Sequence, residues 1–272
     1  MTVMNVPSYI IRGGQAGRER LRLLARVLWP TTRELFERAR VRPGMRCLDV
    51  GCGGGDLSLD LARLVGPRGS VVGIDLDAVK IAAARAEAVA AGVPNVAFEV
   101  ADVTAGALPR PGFDLVYVRF VLTHLRDPQG AVERLGGLLL PGGQLLVEEI
   151  DFSGSFSHPP SWAYAAYVDL YQRAARARGV DPDIGPRLPG LLEAAGLASV
   201  AMHVVQPAAR SGDVKLLSPV TMEAIADAVI AANLATAAEI GRIVEELYRV
   251  ARDETTVLSI PRVVQAWGRR AS

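Results

Sequence analysis

Short apolar runs alternate with amphipathic stretches between about residue 45 and residue 150 of this chain. Arg46–Val50, Val71–Ile74, Val96–Val100, Phe113–Val118 and Gln144–Ile150 read as strands. Behind Asp56, the residues Leu57, Leu61, Leu64 and Val65 recur at three- and four-residue spacing. That predicts a helix, which Gly66-Pro67 stops. Asp77 precedes an alanine-rich helix running towards Gly92, and another helix covers Gly130–Leu139 and ends at Pro141-Gly142-Gly143. Strands this short and apolar, alternating with helices, predict an α/β fold with a parallel sheet covered on both faces. Right-handed crossovers then bring the strand C-termini, and any ligand, to one edge of the sheet.

The rhythm changes after Ile150. Phe152–Pro160 is rich in serine and proline, and "SWAYAAYVDLYQRAA" then predicts a helix with Tyr164, Tyr167 and Tyr171 on one stripe. That stripe has two readings, a core-facing seam or the wall of a pocket for a flat, greasy molecule. Arg187–Ala195 predicts a short helix, Ser199–Val205 a strand, Thr221–Arg252 one long helical region and Thr256–Val264 a last strand. With no internal repeat and no low-complexity linker, the expected plan is one α/β domain over residues 41–272. Cap helices fall at about 152–182 and 214–252, and a helical segment over residues 1–40 precedes the domain.

Composition narrows the classes. Half of the 272 residues are hydrophobic, 22% are charged and the net charge is +1, an ordinary globular balance. Nucleic acid is disfavoured as a partner, because phosphate binding normally shows as a clustered basic excess. Arginines do gather at Arg12, Arg18, Arg20, Arg22 and Arg26, which reads most simply as a solvated helix face. Cys47 and Cys52 flank one turn, one in a strand and one beyond it, which predicts neither a disulfide nor a metal pair. Two cysteines, no signal segment and no membrane-length apolar run give the expectation of a cytoplasmic protein without membrane insertion or a bound metal. A homodimer is compatible with these residues.

The chemistry centres on "LDVGCGGGDLS", Leu48–Ser58. A dinucleotide turn needs its third glycine where the helix begins, since pyrophosphate rests on the helix N-terminus. Counted from Gly51 and Gly53 that place is Asp56, and counted from Gly53 and Gly55 it is Ser58. A carboxylate there repels phosphate, and a phosphate-loop lysine is also missing. Asp49, ending the first strand, suits a cation. The expected ligand therefore has adenosine-like polarity and positive charge near the turn, which S-adenosylmethionine provides. Asp75, at the end of "VVGID", can accept both ribose hydroxyls, and Asp102 can accept from the adenine amino group beside the Val103 N–H.

Taken together, "LDVGCGGGDLS", "VVGIDLD", "ADV", "FDLVYVRFVLTHLRDP" and "LPGGQLLVEEIDF" resemble the ordered motifs of class I S-adenosylmethionine-dependent methyltransferases, of the bacterial small-molecule type. The resemblance covers roughly Val41 to Phe152. It implies a Rossmann-like, seven-stranded, mostly parallel sheet with an antiparallel last strand, helices on both faces and an added helical cap. Gly51, Gly53 and Gly55 would let the backbone pass the methionine portion, with Asp49 near its ammonium. Asp75 would hold the ribose, with Leu76 beside the adenine, while Asp102 and Val103 meet its edge. Arg119 would line the floor. "SYIIRGGQAGRERLRLLARVLWPTT" is similar to a segment that folds over the cofactor in such enzymes, which puts Tyr9 and Gly13 in a flap. Plainer readings stand beside these: Asp75 and Asp77 as helix caps, Asp102 as a turn former, Arg119 in an ordinary ion pair.

A sulfonium is already an activated electrophile, so a general base matters only where the acceptor still carries its proton. Three histidines are available. His124 reads as structural, His203 lies in a late strand, and His158 lies in the loop after the fifth strand. His158, Glu149 and Asp151 are the candidate catalytic residues; alternation turns Glu149 and Asp151 to one face and Glu148 to the other. The expected activity is methyl transfer to an oxygen of a small metabolite by in-line displacement. Beside it stand a quinone-type C-methyltransferase, a non-catalytic binder of the same cofactor serving as a sensor or partner, and a nicotinamide oxidoreductase. An RNA methyltransferase is disfavoured, because Val118-Arg119-Phe120-Val121 replaces the expected Asn-Pro-Pro-Tyr-type motif.

Overall fold

A computed structural model describes residue 11 and residues 14–271. Helix α1 (Gly14–Arg38) leads into β1 (Arg46–Val50), α2 (Asp56–Val65), β2 (Ser70–Asp75), α3 (Ala78–Ala90), β3 (Val96–Val100), β4 (Phe113–Arg119), α4 (Pro128–Gly136) and β5 (Leu139–Asp151). There follow β6 (Ser157–His158), α5 (Trp162–Arg176), α6 (Leu188–Ala194), β7 (Ala198–Val205), β8 (Ala208–Ala209), α7 (Asp213–Ala231), α8 (Ala237–Arg252), β9 (Val257–Ser259) and β10 (Arg262–Arg269). Seven strands form one sheet in the order β3-β2-β1-β4-β5-β10-β7. Only β10 runs antiparallel, against both β5 and β7.

Alternation within the strands explains the layering. Leu48, Val50, Val116 and Val118 point to the face covered by α4 and α6, where they pack with Val132, Leu135, Leu188 and Leu192. Cys47, Val71, Leu115 and Tyr117 point to the opposite face, under α2 and the C-terminal half of α1. Parallel strands buried on both sides have no polar alternation, and these have none. Asp77 caps α3 by accepting from the Val79 and Lys80 N–H groups.

Two expectations at the C-terminal end need correction. Thr221–Arg252 is two helices, because Asn233 takes a positive φ of 55° and Thr236 starts α8 with a reciprocal capping box to Glu239. Helical periodicity persists across the break, so spacing alone hides it. Thr256–Val264 is likewise divided. Val257–Ser259 joins a separate three-stranded sheet with β6 and β8, and only the later segment enters the main sheet. The helix near Gly130–Leu139 begins and ends earlier, and Leu139-Leu140-Pro141 already belongs to β5.

Helices α5, α7 and α8 enclose a second apolar core with Tyr164, Tyr167, Tyr171, Met222, Ile225, Ile243 and Leu247, set over the ligand edge of the sheet. Lys215 ties this cap to the small sheet. Its Nζ donates to the carbonyls of Arg210, Asp253 and Thr256 and to the Thr256 hydroxyl.

Of the described N-terminal arginines, Arg22 and Arg26 are exposed as expected, whereas Arg18 and Arg20 are partly buried, and all four are engaged. Arg18 pairs with Asp56 of α2 at 2.5 Å, and Arg20 donates to Thr221 of α7 at 3.0 Å. Arg22 pairs with Glu87 of α3 and Arg26 with Asp213 of α7. Together they fasten α1 to α2, α3 and, twice, to α7, a function that a linear charge pattern does not reveal. Arg12, Tyr9 and Gly13 lie outside the described residues.

Candidate active site

The C-terminal ends of β1, β2, β4 and β5 open into a cavity of about 560 Å³. One half is the turn after β1 with Asp49, Gly51, Cys52, Gly53 and Gly54, joined by Asp75, Leu76, Asp102, Val103 and Arg119. The other half is built from Phe120, Ile150, Phe152, Tyr164, Tyr167, Tyr171, Leu217, Thr221, Ser259 and Ile260. Leu21, Leu24 and Arg20 of α1 line the same cavity. A single chamber thus joins a polar, glycine-walled half to an aromatic half.

The glycine turn is tightly built. Gly51 has φ of 69°, and a Cβ there would lie 2.3 Å from Val121 Cγ2. Asp75 anchors the turn from β2: Oδ2 accepts the Gly53 N–H at 3.0 Å and Oδ1 accepts the Asp77 N–H at 2.9 Å. These bonds leave lone pairs on a carboxylate that faces the cavity. Asp102 takes both a structural and a cavity-lining position, since Oδ1 accepts from the Thr104 N–H and hydroxyl.

Asp56 is not the bare negative charge expected at the helix start. Arg18 neutralises it and lies so close over Gly54 that a Cβ there would be 1.7 Å from Nη1. The pairing removes the electrostatic bar that a bare Asp56 would set against a phosphate, and what stands over Gly54 is a steric one, the Arg18 guanidinium.

Asp49 is buried and accepts from the Ser58 hydroxyl at 2.5 Å. Burial raises its pKa from 3.8 to about 6, against the lowering effects of Ser58 and Arg119. Arg119 lies under the cavity in a network: its Nη1 donates to Thr32 Oγ1, which donates to Glu148 Oε2. Tyr117 also donates to Glu148 Oε2, and Gln265 donates to Oε1. Glu148 is consumed by these bonds, so its place on the face opposite Glu149 is structural.

The three candidate catalytic residues are all outside the chamber. His158 is exposed in β6, paired with Val257 in the small sheet. Asp151 is 1% exposed; Arg262 binds Oδ2 through two nitrogens, and Ser153 donates to Oδ1 from its N–H and hydroxyl. Glu149 accepts the Val121 and Leu122 N–H groups on Oε1 at 2.8 and 2.6 Å, while Oε2 is buried with no partner among the described residues. The β5 side chain that reaches the cavity is Ile150. Strand alternation gave faces correctly, but it carried no information on which neighbours use up each carboxylate.

Other residues replace them. His124 lines the cavity, and burial, then the positive fields of Arg20 and Lys80, lower its pKa to about 3, so it is neutral. The tyrosine stripe satisfies both of its readings at once: Tyr164, Tyr167 and Tyr171 are core residues and cavity wall. Phe152 stacks on Tyr171 with centroids 3.9 Å apart, and Tyr164 donates its hydroxyl to the Ser259 carbonyl. Arg20 and Thr221 were not singled out by the sequence as cavity residues. Their only signal is the approach of α1 to α7, which needs the fold.

A mostly parallel sheet with a glycine turn after β1, an acid ending β2 and an adjoining aromatic half-chamber is the frame of a nucleoside-cofactor enzyme. A family model described as a methyltransferase domain matches residues 42–173. A ubiquinone/menaquinone biosynthesis C-methyltransferase, UbiE, from Stutzerimonas stutzeri is 33% identical over 192 residues, covering 65% of this chain and 73% of that protein. The structure of Haemonchus contortus phosphoethanolamine N-methyltransferase 2 in complex with S-adenosyl-L-methionine superposes with a TM-score of 0.56 at 18% identity. It covers 97% of this chain and 54% of that one. The [4+2]-cyclase SpnF superposes at 0.53 and 21% identity, covering 89% and 82%, a likeness of fold alone. The chain belongs to the class I S-adenosylmethionine-dependent methyltransferases. Among the described residues, no helix is long and apolar enough to cross a membrane.

Proposed function

We propose that this cytoplasmic enzyme methylates a small, largely apolar acceptor enclosed in the aromatic half of the chamber. The observation that carries this is the continuity of one cavity from the glycine turn to Phe152, Tyr164 and Tyr167. When bound, S-adenosylmethionine supplies a methyl group on a positively charged sulfur. The residues present fit it: Asp49 for the charged methionine end, Asp75 for the ribose hydroxyls, exposed Leu76 and Val103 for the adenine, and Gly51 and Gly53 where its chain passes. Helix α1 closes the chamber as a flap, held by Arg18 and Arg20. The protein's own work is then orientation and exclusion of water, which together supply on the order of 7–11 kcal/mol of a barrier.

Oxygen is the first reading for the methylated atom. Carbon of a quinol-like ring is the second, favoured by the likeness to the UbiE enzyme. Incubation with a metabolite extract and methyl-labelled S-adenosylmethionine, followed by mass spectrometry, tests the activity. A ring-deuterated product retains every ring deuteron after O-methylation and loses one after C-methylation. Cofactor binding without any labelled product would leave the non-catalytic reading standing.

Asp49 makes the cofactor step pH-dependent. A bound cation favours its carboxylate, so protonation competes with binding. Calorimetric affinity for S-adenosylmethionine is expected to fall as pH drops below about 6, by at most about tenfold per pH unit. Asp49→Asn should bind more weakly at neutral pH and show a flat profile; an unchanged slope would remove Asp49 from the cofactor's surroundings.

A further inference from the structure

Arg20 is a cation facing an aromatic chamber, with no carboxylate among the described residues to hold it. It lines the cavity, and its Nε donates to Thr221 Oγ1 at 3.0 Å. Among the described residues no Asp or Glu pairs with it, whereas Arg18, Arg22 and Arg26 of the same helix all have acid partners. The Thr221 hydroxyl links it to Tyr167, and its charge reaches both rings: it adds to the burial that lowers the pKa of His124 and works against the burial that raises that of Tyr167. Lys80 and Arg119 also border the cavity, but they stand with Asp75 and Asp49 on the glycine-turn side. The remaining polar groups of the aromatic half are neutral: Ser218, Thr221, Ser259, His124 and the tyrosines.

We propose that Arg20 is an anion receiver that selects acceptors carrying an ionised oxygen on a flat apolar frame, a phenolate or enolate. This rests on the aromatic half being the acceptor site. A guanidinium in a low-dielectric chamber favours the charged form of an acid beside it. It therefore performs the task of a general base without taking a proton. The acceptor gives its proton to water on binding, and its electron pair forms the new bond to the methyl group. The sulfur keeps the pair of the bond that breaks, and both products leave with one less charge each. This fits an aromatic half whose described imidazole, His124, with a pKa lowered to about 3, is too weak a base to take a phenolic proton.

Arg20 also has a competing use, since the cofactor carries its own carboxylate. The aromatic surroundings and the link through Thr221 to Tyr167 favour the acceptor, and the test separates the two. With the protein saturated by S-adenosylhomocysteine, 4-nitrophenol is titrated at a pH just below its own pKa, where its yellow ionised form reports its charge. The neutral 4-nitroanisole is the control. Binding should increase the yellow form, and Arg20→Met should abolish that increase and weaken the phenol by about tenfold or more while leaving nitroanisole unchanged. Arg20→Lys should restore part of the shift, and near-ultraviolet circular dichroism checks that each variant is folded.

Nitrophenol bound in its neutral form, failure of nitrophenol to bind, or an undiminished shift in Arg20→Met would each overturn the proposal. Loss of S-adenosylhomocysteine affinity in Arg20→Met would overturn it too and assign the guanidinium to the cofactor. Nitroanisole binding without a phenolate shift would sink the role of Arg20 alone and leave the apolar acceptor chamber intact.

Discussion

Replacing Asp75 with alanine weakens S-adenosylmethionine binding by about a hundredfold or more. Two losses combine. The ribose hydroxyls lose a charged acceptor, typically about 1.5–3 kcal/mol. The Gly53 N–H loses the carboxylate that holds the turn, since Oδ2 accepts it at 3.0 Å, and a further loss of about 1 kcal/mol follows. At about 1.4 kcal/mol per tenfold, the sum reaches two powers of ten. Asp75→Asn separates the terms, because an amide oxygen still accepts from the turn while the charge is gone; it should fall between wild type and alanine. Isothermal calorimetry on both variants measures this. Wild-type affinity in Asp75→Ala would mean that the ribose lies elsewhere.

The second large effect is a loss of stability on the alkaline side, set by Glu149. Burial raises its pKa from 4.5 to about 8, although the Leu122 and Val121 N–H groups pull it down. In the unfolded chain the carboxyl ionises near 4.5, so between those values the folded state holds a proton that the unfolded state has released. Stability from this group therefore falls as pH rises through the window and is lost by about pH 8. The whole swing is on the order of a few kcal/mol. Two other groups move in the same range. Asp49 acts in the same direction but is finished by about pH 6. His124, folded near 3 and ordinarily 6.5, acts the opposite way and is finished by 6.5.

From about pH 6.5 to 8 Glu149 is thus the dominant one of these three. Urea midpoints across that interval should decline for the wild type. In Glu149→Gln they should be nearly level, since glutamine keeps an acceptor for the turn and cannot ionise. Equal slopes in the two proteins would show that Glu149 enters the fold already charged.

Most of the frame around the glycine turn was legible in the chain. The elements from Arg46 to Asp75 fall where spacing puts them, because strand burial and helical periodicity are local properties, although Gly55 and not Asp56 stands at the cap of α2 and Asp56 pairs with Arg18 instead. The acceptor half was not. His158, Glu149 and Asp151 were reasonable by residue type and position, yet their roles depend on Val257, the Val121–Leu122 backbone and Arg262. The last of these lies more than a hundred residues away from Asp151 in the chain. The same holds for Arg18, Arg22 and Arg26, whose acid partners come from α2, α3 and α7.

By itself, the sequence determined the sheet, the glycine turn and the acids at the strand ends, since backbone conformation and periodic burial are written in neighbouring residues. Only the tertiary structure decided which charges are spent on one another and which still face the cavity. Ion pairs and hydrogen bonds form between whatever the fold brings within about 3–4 Å. Arg18 and Arg20 stand two residues apart on one helix; one is paired with a carboxylate and the other looks into an aromatic chamber.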